Sequence, residues 1–215
     1  MNWLAHLYLS EPNPQFRVGN LLPDLVRRAE LTGLPEPFQR GIRCHRRIDA
    51  FTDAHPRVRS CVARFRPPYR RFGGILTDLY FDHFLARDWG MYCSIPLSDF
   101  ITEVYRDIDI CLPYIPANGA WVLDRMLRED WLGSYRDLSG ITNILRRVSR
   151  RLRRPFDLSG SVPMFTEQAF AFSNNFHAFF PELIVHVEGE VSNGSMHATA
   201  GRTEQAAASS ACHRL

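Results

Sequence analysis

Apolar positions along this chain recur at helical spacing, between breaks marked by proline and glycine. Phe38, Ile42, Ile48 and Phe51 form one such series, and Ile75, Leu79, Phe81, Leu85 and Trp89 another. The periodicity continues through Leu97–Leu112, Asn118–Leu132, Ile141–Leu152 and Val162–Phe180. Ser98, Asn118 and Ser139 stand where helix N-caps are expected. The breaks fall at Pro12–Pro14, Pro35–Pro37, Pro67–Pro68 and Gly73–Gly74. No series of evenly spaced, alternating strands is visible. The pattern predicts an all-α fold, a single compact multi-helix domain over residues 1–186. From Val187 the chain becomes rich in Gly, Ser, Thr and Ala. It holds too few large apolar groups to offset the entropy of ordering, so 187–215 is expected to be a loose, disordered tail.

Polar residues interrupt this pattern in three places. Within Ile75-Leu-Thr-Asp-Leu-Tyr-Phe-Asp-His-Phe-Leu-Ala86, apolar side chains point in nearly every direction, which predicts a helix buried on most sides. Asp78 and Asp82 nevertheless lie one turn apart, with His83 beside Asp82. Buried carboxylates require a partner: an arginine, a helix end or a bound cation. In Cys44-His-Arg-Arg-Ile-Asp-Ala-Phe-Thr-Asp53, residues His45, Asp49 and Asp53 recur every four positions and form a stripe beside the apolar face. Alone this stripe is an ordinary helical His–Asp pairing; with Asp78, Asp82 and His83 it becomes a candidate metal-ligand set. In Gly19-Asn-Leu-Leu-Pro-Asp24, Asn20 and Asp24 are further candidates, with Pro23 marking either a helix start or a bend. Asp24 has the simpler alternative of a first-turn carboxylate at a helix N-terminus. His6, among apolar neighbours, is the weakest of the group.

Composition narrows the class. The chain has 215 residues, 45% hydrophobic and 23% charged, as expected of a globular protein. No segment approaches the ~18 apolar residues of a membrane span, and Met1–Ser10 lacks the features of a secretory signal. With five widely spaced cysteines read as reduced, the expected location is the cytoplasm. The net charge of +3 is too small to imply nucleic acid, yet all 26 basic residues are arginine. Six of them crowd Arg146–Arg154, including Arg146, Arg147, Arg150 and Arg151. Such a stretch is a solvated helix face, a docking surface for an acidic protein or, with no recognisable motif in support, a nucleic-acid contact.

Taken in order, Met1-Asn-Trp-Leu-Ala-His6, Gly19-Asn-Leu-Leu-Pro-Asp24, Gly41 through Asp53, Asp78-Leu-Tyr-Phe-Asp-His-Phe-Leu85 and Trp131-Leu-Gly-Ser-Tyr-Arg-Asp137 resemble the acyl carrier protein phosphodiesterases over about residues 1–185. The resemblance implies an HD-phosphohydrolase-like helical fold. It also implies hydrolysis of the phosphodiester joining 4′-phosphopantetheine to holo-acyl carrier protein, with a divalent metal, Mn²⁺ first, Mg²⁺ or Fe²⁺ as alternatives. On these terms Asp24, His45, Asp49, Asp82 and His83 are the expected metal ligands, and His6, Asn20 and Asp53 additional site residues. Asp78 is expected to handle a proton, Arg46 or Arg43 to stabilise phosphoryl oxygens, and Arg146, Arg147, Arg150 and Arg151 to dock the acidic carrier protein. The HD-type enzymes place Asp directly after His, whereas Asp82–His83 runs in the reverse order. Two other functions fit the same residues: hydrolysis of a nucleotide or small phosphodiester, and non-catalytic binding of an acidic protein.

Overall fold

The computed structural model describes residues 1–196. Among them are ten α-helices and no strand. The first two are short: α1 (Trp3–Tyr8) is capped by Asn2, and α2 (Pro14–Gly19) by Asn13, with Pro14 in its first turn. A 3₁₀ turn, Leu22–Asp24, follows, so Pro23 marks a bend and not a long helix, and a second, Arg28–Leu31, precedes α3. Next come α3 (Glu36–Ala54) and α4 (Pro56–Ala63), separated where Pro56 prevents α3 from continuing. The middle of the chain forms α5 (Gly73–Arg87), α6 (Leu97–Cys111), α7 (Ala117–Arg128) and α8 (Leu138–Arg150). The chain then forms α9 (Val162–Glu167) and α10 (Ala169–Met196).

The helix α5 is the centre of the molecule. Leu76, Thr77, Leu79 and every residue from Tyr80 to Ala86 are buried, as its all-round apolar pattern predicts. Phe172, Phe176, Phe179, Phe180 and Leu183 line one side of α10 and are fully buried. Phe176 and Phe179 pack on Phe81, and Phe172 on Phe65 and Tyr80. Aromatic rings of this size dominate the burial that holds the bundle together.

Where α2 crosses α3 the two backbones nearly touch. A Cβ on Gly19 would lie 2.3 Å from the Phe38 carbonyl oxygen, and one on Gly41 would lie 2.2 Å from that of Phe16. Neither space admits a methyl group. The two glycines bring the C-terminal end of α2, and Asn20 just beyond it, against the middle of α3.

Two expectations need correction. The helices expected to be capped by Ser98, Asn118 and Ser139 begin earlier, with Pro96, Pro116 and Asp137 at the N-cap. Proline is disfavoured inside a helix but suits its entrance, and the Asp137 carboxylate accepts from the Gly140 N–H. The stretch Val162–Phe180 is two helices, broken at Gln168. The last helix runs to Met196, and the expected tail from 197 onward lies outside the described residues. Cys44, Cys61 and Cys111 are buried free thiols, as expected. Among the described residues, no helix is long and apolar enough to cross a membrane.

Candidate metal centre and active-site cleft

The site is assembled from α1, the bend after α2, and α3. His6 projects from α1 and stacks on His45 of α3, ring centroids 4.3 Å apart. Both imidazoles are buried. Asn20 sets their orientation. Its amide nitrogen donates to the His6 carbonyl oxygen at 2.8 Å and to Ser10 Oγ at 2.9 Å. Its Oδ1 is therefore an acceptor, lying 3.0 Å from His6 Nδ1. Its backbone carbonyl lies 2.8 Å from His45 Nδ1. Both Nδ1 atoms must donate, so each neutral ring presents a bare Nε2 lone pair.

The two Nε2 atoms meet one carboxylate. His45 Nε2 is 3.0 Å from Asp49 Oδ2, and His6 Nε2 is 3.3 Å from Asp49 Oδ1. His6 Nε2 is buried without a hydrogen-bond partner among the described residues. His6, His45 and Asp49 offer ligand atoms that all lie within 4.8 Å of one another. Asp24 Oδ1 lies 3.6 Å from His45 Nε2, and its Oδ2 accepts from Trp3 Nε1 at 3.0 Å.

The electrostatics favour a cation here. Burial and the nearby His45 keep the His6 imidazole below its usual range despite Asp49, so it holds a proton poorly. Burial alone would lower His45 too, but its hydrogen bond to Asp49 and the charges of Asp24 and Asp49 hold it above the ordinary value. Burial would raise Asp49, yet the close approach of the His45 and His6 Nε2 atoms, with the Met1 ammonium nearby, outweighs it and keeps the carboxyl well below the usual range. The negative charge of Asp49 thus favours a cation between the rings, either the proton that His45 keeps or, in its place, a divalent ion bound by nitrogen and oxygen. The residues present fit a metal on these grounds.

A cleft of about 460 Å³ opens beside this cluster. Asp24, Asp49, Asp53 and Asp78 line it, together with apolar Ile75, Leu79, Ile144 and Val148. The Met1 ammonium lies 3.2 Å from Asp78 Oδ1 and 3.8 Å from Asp49 Oδ1. Burial pushes the Asp78 carboxyl above its ordinary value, against the pull of that ammonium. Trp3 stacks on Trp131 at 5.6 Å to form an aromatic wall.

The structure brings His6, His45, Asp49 and Asp24 together and places Asp53 and Asp78 on the same cleft. It does not bring Asp82 or His83 to them as ligands. Asp82 Oδ2 accepts from the Leu4 N–H at 2.7 Å and Oδ1 from the Ala5 N–H at 3.4 Å. The buried carboxylate is satisfied by the N-terminus of α1. Burial raises it to about 7. His83 Nδ1 bonds the Tyr135 carbonyl oxygen at 2.8 Å. The expected phosphoryl-binding arginines also lie elsewhere: Arg46 is exposed and does not line the cleft, and Arg43 pairs with Glu36. Arg147 and Arg151, expected to dock a partner, line the cleft instead, while Arg146 and Arg150 line a separate recess. Sequence reasoning missed the Trp3–Trp131 wall and underrated His6, whose only local signal is a histidine among buried apolar residues.

The acyl carrier protein phosphodiesterase family matches residues 1–183. An acyl carrier protein phosphodiesterase of Enterobacter sp. (strain 638) is 32% identical over 88% of this chain and 99% of its own length. One of Salmonella agona (strain SL483) is 35% identical over 86% of this chain and 96% of its own length. No solved structure matches the chain.

Proposed function

This chain belongs to the acyl carrier protein phosphodiesterase family, and from that premise we propose that it is a metal-dependent hydrolase of holo-acyl carrier protein. The products are apo-acyl carrier protein and free 4′-phosphopantetheine. The observation that carries the metal is the convergence of two tautomer-locked imidazoles on the ionised Asp49. His6, His45 and Asp49 hold the ion, with Asp24 beside them. The mixed nitrogen and oxygen donors favour Mn²⁺ or Fe²⁺ over Mg²⁺, which prefers oxygen alone. A bound divalent ion supplies Lewis acidity, offsetting the diester's charge and acidifying a water.

The chain's own groups do the rest. Asp78, raised by burial and lining the cleft, is placed to take a proton. Asn20 locks the ring tautomers, and Asp82 anchors the α1 N-terminus that carries Trp3 and His6. Arg146 and Arg150, outside the cleft, are placed to meet the acidic surface of the carrier protein. The family's substrate supports the cytoplasm as the place of action.

The test is incubation of the purified protein with holo-acyl carrier protein and Mn²⁺, followed by mass spectrometry of the carrier. Loss of the prosthetic group is expected from wild type, and none from His6→Ala, His45→Ala or Asp49→Asn. A folded, Mn²⁺-loaded wild type that leaves the carrier intact overturns the proposal. Faster turnover of small diesters than of the carrier protein points instead to the small-diester reading.

A further inference from the structure

We infer that Arg147 and Arg151 form an anion subsite in the cleft, which holds the phosphoryl group of the substrate and of the phosphomonoester released from it. The inference rests on the cleft being the catalytic site and adds the residues that recognise the anion.

The two arginines stand four positions apart at the C-terminal end of α8, and both line the cleft. Like charges at this spacing repel one another, so their juxtaposition costs stability unless an anion lies between them. The carboxylate available does not suffice. Glu129 lies 3.4 Å from Arg147 but is already bonded by Arg125 and by the Trp131 indole N–H. Arg151 has no ion-pair partner among the described residues, and neither arginine pairs with any of the four cleft carboxylates. Both guanidinium groups are held over one ring, Arg147 at 4.8 Å and Arg151 at 5.8 Å from the Trp131 centroid. That contact positions them without consuming their N–H donors.

The cleft is therefore bipolar. Carboxylates form one pole and the arginine pair the other, with Ile75, Ile144 and Val148 on the same lining. A ligand that fits carries one strongly anionic group attached to an uncharged chain. A phosphomonoester on such a chain matches this, and two forked guanidiniums can offer it paired N–H donors.

The experiment is calorimetric titration of wild type, Arg147→Ala, Arg147→Lys and Arg151→Ala in Mn²⁺ buffer, with 4′-phosphopantetheine and with pantetheine as probes. Wild type should prefer the phosphorylated probe. Arg147→Ala and Arg151→Ala should each weaken that probe by about tenfold or more, the scale of one charge-assisted hydrogen bond. Arg147→Lys should fall between, since it keeps the charge but loses the fork. Binding of pantetheine should not change. Arg151 is exposed, so its variant should fold even if Arg147→Ala does not, and a retained Mn²⁺-dependent melting shift verifies each variant. Equal affinity of wild type for the two probes overturns the subsite, as does an unchanged preference in both alanine variants. A wild type that binds phosphomonoesters through these arginines yet leaves holo-acyl carrier protein intact overturns the proposed reaction and leaves the subsite standing.

Discussion

Asn20 has more influence on the site than its neutral side chain suggests, because it fixes which nitrogen of each histidine is bare. Its amide is fully bonded, to His6 twice and to Ser10, so Asn20→Ala removes the tautomer lock on His6 and leaves buried groups unpaired, while the backbone carbonyl still holds His45. Loss of such an outer partner typically costs 10–100-fold in metal affinity, and that drop is expected in a Mn²⁺ titration of the variant. Asp82 makes a separate prediction at this scale. Its folded value of about 7 lies above the ordinary carboxyl value of 3.8 because burial disfavours the charge. A raised value means that the protonated form is preferred in the fold. Its contribution is full below about pH 4 and is lost as pH rises towards 7, by at most about 4 kcal/mol. Asp82→Asn cannot ionise, so in metal-free buffer its stability relative to wild type should improve across that window. Chemical denaturation at several pH values measures this, and parallel curves for the two proteins would contradict it. The two aspartates of α5 were legible as buried acids that need a partner. What the sequence could not show is the partner of Asp82, since two N–H groups at the start of α1, 77 and 78 residues away, meet it only after folding.

At the scale of elements, helical periodicity made the fold class, the central burial of α5 and most helix bodies readable. Helix starts and the break at Gln168 were not, because caps depend on one or two local hydrogen bonds that periodicity does not report. The α2–α3 crossing was also hidden: Gly19 and Gly41 look like ordinary glycines until the two backbones meet. Gly41→Ala forces a methyl group into the Phe16 carbonyl and should cost about 1–3 kcal/mol by overpacking. It should also separate Asn20 from His45. The expected outcome is a lower melting temperature together with weaker Mn²⁺ binding. A destabilised variant with wild-type metal affinity would show that the crossing does not position the site. Gly74, which has open space around it, should accept Ala with little effect and serves as the control.

Across the whole molecule, α1, α3, α5 and α8 converge on one cleft that is acidic at one pole and basic at the other. The sequence showed these charges as separate clusters and assigned the arginines to an outer surface, since helical spacing alone does not say which face of α8 meets the core. The metal centre is the claim on which the rest depends. On the proposal that the ion binds only the folded state, wild type should gain ~2.7 kcal/mol at a free Mn²⁺ concentration 100 times the dissociation constant. The most direct test is thermal melting of wild type, His6→Ala and His83→Ala, each with and without Mn²⁺ over the micromolar to millimolar range. The account predicts a Mn²⁺-dependent rise in wild type and His83→Ala, and none in His6→Ala. A shift that survives in His6→Ala but disappears in His83→Ala would contradict it.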